Sequence, residues 1–205
     1  MDKDNAKDKF QDSGGSISRR ALIAGGGVAA LAAVAWKVVA QTKSAPAAIA
    51  SPKQSATVDI EEFSPAGKSL GHMQVPRVVK SEAEWRKQLP ADSFEVTRRE
   101  DTERPGTGKY LNNHAAGIYR CICCYTALYD SQTKFESGTG WPSFWQPISR
   151  LNVVERTDNS LGMHRVSVSC SRCDAHLGHL FDDGPRPTGL RYCMNSVSLR
   201  FVART

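Results

Sequence analysis

The chain has 205 residues, of which 40% are hydrophobic and 23% are charged, a composition that suits one folded domain with an appendage. The 27 Lys and Arg residues exceed the 21 Asp and Glu residues, which gives a net charge of +6. This excess is spread along the chain and forms no block of five like charges. Because nucleic-acid binding needs a clustered basic face, we expect a solvated basic surface and no nucleic-acid partner.

The first forty residues have the pattern of an export signal. A polar, charged start leads to the adjacent Arg19 and Arg20, and a Gly- and Ala-rich apolar run follows from Ala21 to Trp36. A positive region before a short apolar region is typical of exported proteins, and the paired arginines resemble a twin-arginine signal. We therefore predict that residues 1–40 form a twin-arginine-type signal or anchor and that the protein is exported to the periplasm.

A membrane-spanning helix is the alternative for this segment. The run from Ala21 to Ala40 approaches the roughly 20 residues that cross a bilayer. Its Gly and Ala content makes it weakly hydrophobic, and Lys37 lies near its end. Residues 48–50 offer a small-x-small cleavage site, and an uncleaved signal that anchors the protein in the membrane stays open. Residues 41–57 are expected to form a linker, and residues 58–205 the folded domain.

Two short helices are predicted early in the domain. Ser81 and Glu84 have the spacing of a capping box, with Ser81 as the N-cap. Trp85 falls on the apolar face of this helix, and Pro90 ends it. A second helix is predicted over residues 92–99. We expect these helices to come first in the domain and β-structure to follow.

The remaining elements are predicted to be strands. Gly117 to Cys121 is predicted to be a strand that enters a turn. Residues 152–156 and His164 to Ser169 are rich in alternating and β-branched residues, and Asp158-Asn159-Ser160 between them predicts a hairpin turn. A last strand is predicted from Ser196 to Ala203, with Val197, Leu199 and Phe201 on one face. The fold class is therefore mainly β and antiparallel.

Two C-x-x-C motifs follow predicted strands. They are formed by Cys121 with Cys124 and by Cys170 with Cys173. Two such turns brought together can hold a zinc ion in a tetrahedron, and four protein ligands give a structural site. We predict one structural Zn²⁺ per chain. Disulfides, a redox-active C-x-x-C pair, and a site that combines Cys170 and Cys173 with two histidines are the alternatives.

Cys193 remains once the four ligands are assigned. In an extended chain, Arg191, Cys193 and Asn195 point to the same side. A cation or a histidine near a thiol increases its thiolate fraction, and an amide can bond a polar substrate atom. The alternative is a buried cysteine that acts as a small hydrophobic residue.

Three long stretches resemble the signature of methionine-R-sulfoxide reductases, and two shorter ones precede them. The long stretches are residues 134–144 (Lys-Phe-Glu-Ser-Gly-Thr-Gly-Trp-Pro-Ser-Phe), residues 170–185 and residues 188–201. The shorter ones are residues 95–99 and residues 102–105. The resemblance covers nearly the whole folded domain.

This resemblance implies a fold of two small antiparallel sheets, of the β-tent type, with short N-terminal helices and a zinc site. It implies reduction of the R epimer of methionine sulfoxide, free or in proteins, which repairs oxidative damage. It also implies roles for residues of this chain. Cys193 corresponds to the nucleophile, and Cys121, Cys124, Cys170 and Cys173 to the zinc ligands. His179, His176 and Asn195 correspond to residues that line the active site, and Trp141 to an apolar wall for the S-methyl group.

The expected reaction begins when the Cys193 thiolate attacks the sulfoxide sulfur. His179, whose type has an ordinary pKa near 6.5, is expected to protonate the departing oxygen. Arg191 is expected to assist substrate binding beside Cys193. The product enzyme carries a sulfenic acid, so a thioredoxin-like protein or another thiol must reduce it.

The chain departs from the family pattern where many members carry a resolving cysteine. Thr139 occupies that position. Either Cys123 resolves the sulfenic acid or an external thiol reduces it directly. Gly106 replaces an aromatic residue that is frequent in the family, so we expect a looser loop there. Two other functions remain open. One is a non-catalytic module, stabilised by zinc, that binds oxidised or methionine-rich proteins, and the other is a disulfide oxidoreductase that uses Cys121 and Cys124.

Overall fold

The computed structural model describes residues 56–159 and 165–204. The predicted signal (residues 1–40) lies outside the described residues, as do residues 41–55 of the predicted linker, and Ser160 and His164 of the predicted hairpin. Within the described ranges, no helix has the length and the hydropathy needed to cross a membrane.

The described residues form three antiparallel sheets and two short helices. The sheets are the hairpin β1-β2, a six-stranded sheet in the order β5-β6-β10-β9-β8-β7, and a three-stranded sheet in the order β11-β3-β4. The element bounds are β1 Thr57–Phe63, β2 Ser69–Pro76, α1 Glu82–Gln88, α2 Ala91–Arg99, β3 Gly117–Cys121, β4 Ala127–Asp130, β5 Lys134–Phe135, β6 Ser143–Phe144, β7 Val153–Asp158, β8 Arg165–Cys170, β9 His176–Phe181, β10 Arg191–Met194 and β11 Leu199–Ala203.

Both predicted helices are present. The capping box of α1 forms as expected, since the Ser81 backbone N–H donates to the Glu84 carboxylate at 2.8 Å and the Glu84 N–H donates to Ser81 Oγ at 3.4 Å. Helix α1 buries Trp85, and α2 buries Phe94 and Val96. These side chains join the core, which fixes the helices against the sheets.

The expectation that the helices come first is wrong, because the β1-β2 hairpin precedes them. The hairpin buries Ile60 and Phe63 against the rest of the domain. It is held by the buried amide of Asn152, which accepts from the Glu61 N–H at 2.9 Å and donates to the carbonyls of Glu61 and Ala127, each at 2.8 Å. The hairpin therefore adds a third sheet to the two that the family resemblance implies.

The predicted β7-β8 hairpin is confirmed, and its register pairs Val153 with Cys170 and Asp158 with Arg165. The predicted strand from Ser196 to Ala203 begins later than expected, at Leu199. Residues 196–198 form a 3₁₀ turn instead. The cause is tertiary: the Glu103 carboxylate accepts the N–H groups of Ser196 at 2.8 Å and Val197 at 3.1 Å, which turns them away from a strand ladder.

Aromatic side chains fill the space between the two larger sheets. Tyr119 and Tyr129 come from the three-stranded sheet, and Phe144 and Tyr192 come from the six-stranded sheet. The rings of Tyr129 and Phe144 stack with centroids 4.5 Å apart, and Tyr119 meets Phe144 edge-on at 5.0 Å. This core supports β6 and β10 from behind, so residues on the other side of these strands are held in place.

Candidate active site and metal centre

Four cysteines form a compact cluster where β3 and β8 end. Each C-x-x-C turn closes in the same way, because Tyr125 N–H donates to the Cys121 carbonyl and Asp174 N–H donates to the Cys170 carbonyl, both at 2.9 Å. Both Tyr125 and Asp174 have positive φ, at 68° and 59°. The four sulfur atoms, of Cys121, Cys124, Cys170 and Cys173, lie within 4.8 Å of one another.

The sulfur separations fit a shared ion and not disulfides. Cys121 Sγ is 3.6 Å from Cys173 Sγ, and Cys124 Sγ is 3.5 Å from Cys170 Sγ. A disulfide would need about 2.05 Å, whereas a tetrahedron with metal–sulfur bonds of about 2.3 Å separates its sulfurs by about 3.8 Å. All six cysteines are free. The four therefore could hold a metal ion, and the alternative set with histidines is not assembled among the described residues.

Cys193 lies on β10 between two neighbouring strands. The register places it opposite His179 on β9 and opposite Ser143 on β6. Gly178 allows the close approach of β9, since a Cβ there would lie 2.1 Å from the Cys193 carbonyl oxygen. The Cys193 side chain is half-buried, and its sulfur lies 3.8 Å from Thr139 Oγ1.

The thiol opens on a cavity of about 130 Å³. A cavity of this size admits one side chain and not a folded segment. Its lining is mixed, with aromatic and glycine surfaces beside an imidazole, a guanidinium and an amide. The lining residues are Thr102, Trp141, Arg165, Gly178, His179, Phe181, Cys193 and Asn195.

Opposing influences act on the Cys193 thiol. Burial raises its pKa above the ordinary value, and this outweighs the lowering by the Thr139 hydroxyl, the Arg191 charge and the Ser143 hydroxyl. Arg191 is itself held by Asp183, through bonds of 2.7 Å and 2.9 Å, and lies over the Phe181 ring. The expected cation is therefore present, but burial keeps the free thiol protonated at neutral pH. Asp183 therefore orients this cation.

The two histidines differ in their surroundings. His179 lines the cavity, and its Nε2 lies 3.0 Å from Asp158 Oδ2. His176 lies behind it, with ring centroids 5.2 Å apart, and its Nδ1 lies 3.2 Å from Ser167 Oγ. Burial, followed by the nearby His179, lowers the pKa of His176 to about 4. His176 is therefore neutral and packs behind His179, and it is not among the residues that line the cavity.

Glu103 organises the opposite wall. Its backbone carbonyl accepts from Trp141 Nε1 at 3.0 Å, and its backbone N–H donates to Asn195 Oδ1 at 3.0 Å. Asn195 Nδ2 donates to the Leu177 carbonyl at 3.1 Å. Both ends of the Asn195 amide thus have a backbone partner, which holds this wall of the cavity in position.

The chain is similar to a known family over most of its folded part. The model of the SelR domain matches residues 89–203, more than half of the chain. The chain belongs to the MsrB family of peptide methionine sulfoxide reductases.

Curated relatives agree with this family. "Peptide methionine sulfoxide reductase MsrB" of Hahella chejuensis is 54% identical over 125 residues, which cover 61% of this chain and 90% of that protein. The protein of the same description from Herminiimonas arsenicoxydans is 53% identical over 127 residues, covering 62% of this chain and 93% of the relative. That of Pseudomonas putida strain W619 is 54% identical over 128 residues, covering 62% and 96%. The β1-β2 hairpin precedes the SelR match.

Within this MsrB fold, Cys123 is buried beside α2. It is 6% exposed, its sulfur contacts Thr97 Oγ1 on α2 at 3.5 Å, and its carbonyl accepts from Gln88 Nε2. Among the described residues its sulfur makes no contact with Cys193. The loop at Gly106 is tied rather than loose, because the Gly106 N–H donates to the Gly140 carbonyl at 2.8 Å.

Four residues of the site were missed by the sequence analysis. Asp158 is predicted from sequence to lie in a turn, yet its carboxylate reaches His179. Arg165 has no local pattern that marks it. Glu103 lies in the 102–105 stretch that resembles the family, but its bonds to Trp141 and Asn195 require the folded structure. Ser143 carried a signal, since it lies in the Gly-Trp-Pro-Ser-Phe stretch, but its place opposite Cys193 requires the strand register.

Proposed function

We propose that this protein reduces the R epimer of methionine sulfoxide to methionine, with Cys193 as the nucleophile. One observation carries the proposal: Cys193 and His179 occupy paired positions on adjacent strands and line the same small cavity. A nucleophile and a proton donor that face one site are what sulfoxide reduction needs. The R preference is supported by the family resemblance of the sequence motifs.

The reaction is a two-electron transfer with one oxygen atom moved. The Cys193 thiolate attacks the sulfoxide sulfur, and His179 donates a proton to the sulfoxide oxygen. The sulfur–oxygen bond of the substrate breaks as the protonated oxygen moves to Cys193, and the transient sulfur–sulfur bond breaks with its electron pair returning to the substrate sulfur, which leaves Cys193 as a sulfenic acid. Methionine is released. Cysteine is oxidised by two electrons and the substrate is reduced by two.

Trp141 is proposed as the apolar wall for the S-methyl group. Its indole N–H is fixed on the Glu103 carbonyl, so the ring has one orientation in the cavity. Phe181 adds a second aromatic surface. The sulfoxide oxygen would then lie towards the polar side, which carries His179 and Arg165. An oriented substrate of this kind is attacked on one face, which supports selection of one epimer.

The metal at the four cysteines is proposed to be zinc. Four thiolate ligands at the observed separations suit a tetrahedral zinc site, and four protein ligands leave no open position for catalysis. Cys121, Cys124, Cys170 and Cys173 would hold it, and its contribution would be to clamp the ends of β3 and β8 together. Zinc does not enter the reaction at Cys193.

An external thiol is proposed to regenerate the enzyme. Thr139 replaces the resolving cysteine, and the Cys123 thiol is buried against α2. Two thiol groups of a reductant, for example a thioredoxin-like dithiol, convert the sulfenic acid to the thiol and release water while a disulfide forms. The exposed side of the Cys193 cavity is where such a reductant would approach.

The natural setting is proposed to be an exported compartment, where the enzyme repairs oxidised methionine as part of an oxidative stress response. The support is the twin-arginine-like start of the chain, in which Arg19 and Arg20 precede an apolar run. A pathway that exports folded proteins would allow the metal to be loaded in the reducing cytoplasm. The same segment, if uncleaved, would anchor the enzyme at the membrane.

Turnover with separated R and S epimers of methionine sulfoxide tests this function. The wild-type chain should reduce the R epimer and leave the S epimer, and Cys193→Ser should abolish the activity with unchanged metal content. Cys123→Ser is the matched control, since it removes a cysteine outside the site and the ligand set, and it should retain activity. Equal reduction of both epimers, or activity in Cys193→Ser, would refute the assignment.

A further inference from the structure

The β7-β8 hairpin brings a carboxylate to the imidazole that faces Cys193. Asp158 ends β7, Arg165 begins β8, and the register pairs them. Asp158 Oδ2 accepts from an Arg165 guanidinium N–H at 2.8 Å and lies 3.0 Å from His179 Nε2. One oxygen atom of Asp158 therefore meets both a guanidinium and an imidazole.

This contact is sheltered from water. The side chains of His179 and Asp158 are only 14% and 17% exposed. At low exposure, a bond between a carboxylate and an imidazole is screened less than on an open surface. The contact also decides which ring nitrogen is available. With Nε2 directed at Asp158, Nδ1 is the nitrogen left for the cavity, and among the described residues it has no hydrogen-bond partner.

We propose that Asp158 is a positioning residue for His179, which fixes the proton on Nε2 and presents Nδ1 as the atom that delivers a proton to the substrate. This inference rests on the proposed function in one respect, which is that the sulfoxide oxygen of the substrate accepts the proton. The tautomer and the ring orientation that it assigns do not depend on the substrate. A carboxylate that accepts one imidazole N–H sets the tautomer and stabilises the imidazolium form.

The other groups around His179 do not replace Asp158 in this role. On its own strand, His176 is buried and neutral near pH 7. On β8, Arg165 is a cation and disfavours a second positive charge. On β10, Cys193 is a protonated thiol and Arg191 is paired with Asp183. Asp158 is thus the carboxylate that stabilises the imidazolium form of His179. The positive charge of Arg165 weakens this stabilisation.

Asp158→Asn in the full chain is the test, with two readouts. Selective ¹⁵N labelling of histidine reports the tautomer of His179, and a His179→Gln variant identifies its signals. We expect the Nε2-protonated form in the wild type and a mixture in Asp158→Asn. In turnover with the R epimer, kcat at pH 7 should fall by about tenfold with KM within about twofold, because the proton donor loses its orientation while the cavity keeps its lining.

A matched control and an opposite variant make the test specific. Asp130→Asn removes another carboxylate that bonds an arginine at a strand end, Arg204, in the sheet without the histidines, and should change neither readout. Arg165→Gln removes the guanidinium that shares this oxygen and should keep the Nε2-protonated form of His179, since the Asp158 carboxylate is still present. The Arg165→Gln variant also tests the inference if Asp158→Asn does not fold.

An unchanged His179 tautomer in Asp158→Asn would overturn the inference, as would loss of the Nε2-protonated form in Arg165→Gln. Failure of the proposed function looks different. In that case the tautomer responds to Asp158→Asn, while neither the wild type nor any variant reduces methionine sulfoxide.

Discussion

The Cys193 thiol lies at the end of a chain of hydroxyl groups. Ser143 Oγ is 2.7 Å from Ser137 Oγ, which is 2.9 Å from Thr139 Oγ1, and Thr139 reaches the sulfur at 3.8 Å. The hydroxyls of Thr139 and Ser143 and the charge of Arg191 favour the anion, and burial favours the neutral thiol. The balance leaves a thiol that is mostly protonated at neutral pH, so the thiolate that attacks the substrate is its minor form.

The raised pKa of Cys193 gives a pH dependence. Because only the thiolate reacts with iodoacetamide, the alkylation rate should be low at pH 7 and should rise through the alkaline range, with its midpoint above the value of about 8.5 for a free thiol. Arg191→Met should move the midpoint further up, since it removes a charge that favours the thiolate. Mass spectrometry of the Cys193 peptide measures the rate. A midpoint below about pH 8 would contradict the assigned effect of burial.

Replacing Thr139 should change how the enzyme is recycled. A cysteine at this position would place a second sulfur beside Cys193, within the geometry that a disulfide can reach after a small movement. In a Cys123→Ser background, Thr139→Cys should form a disulfide between the introduced cysteine and Cys193 after one turnover without reductant. With Thr139 retained, a sulfenic acid should be trapped by dimedone instead. Equal dimedone labelling of both proteins would argue against this proximity.

At the scale of elements, the segment from Thr102 to Gly106 joins distant parts of the site. It bonds the indole of Trp141, the amide of Asn195 and the 3₁₀ turn before β11 through Glu103 alone. Gly108 is confined by the same group, since a Cβ there would lie 2.4 Å from Glu103 Oε1. The parts of the cavity wall that Trp141 and Asn195 form are therefore positioned by one residue.

Glu103→Gln should loosen these walls. The amide offers one acceptor oxygen where the carboxylate offers two, so one of the N–H groups of residues 196 and 197 loses its partner, at a cost of about 1–3 kcal/mol. Urea unfolding should show this loss, and kcat/KM for the sulfoxide should fall. Glu100→Gln, at an exposed position just before this segment, is the control. Equal stability of the two variants would show that the carboxylate is dispensable.

The sequence predicted the elements whose signals are local. The capping box of α1 and the alternation in β7 and β8 depend on neighbouring residues, and both formed. The 3₁₀ turn at residues 196–198 could not be predicted, because the carboxylate that causes it is 93 residues away. In the site, motifs indicated Cys193, His179 and the four clustered cysteines. Asp158 and Glu103 act through contacts that exist only after the strands pair.

At the scale of the whole molecule, the cysteine cluster joins the two larger sheets. Cys121 ends a strand of the three-stranded sheet, and Cys170 ends a strand of the six-stranded sheet. The aromatic core lies between the same sheets, so the cluster and the core stabilise one arrangement. Cys193 depends on this arrangement without contacting the cluster.

Removal of the metal should therefore act on stability before chemistry. A strong chelator should lower the unfolding midpoint and reduce activity in proportion to unfolding, because binding free energy at a structural site contributes to folding. Cys124→Ser should have the same effect, and Cys123→Ser should leave about one metal ion per chain. Metal analysis measures the ion content of each protein, and thermal unfolding measures its stability. A folded, fully active protein without metal would exclude a structural role.

The Asn152 side chain limits how far the domain can be truncated at its N-terminal end. Its amide is fully buried and mimics a backbone partner for β1. In a fragment limited to the SelR match at residues 89–203, this amide would lose its hydrogen bonds to the Glu61 backbone. Ile118 and Ala127, which pack against Phe63, would become exposed. The part of the chain that encloses these side chains thus extends beyond the SelR match, and an expressed fragment should begin before residue 57.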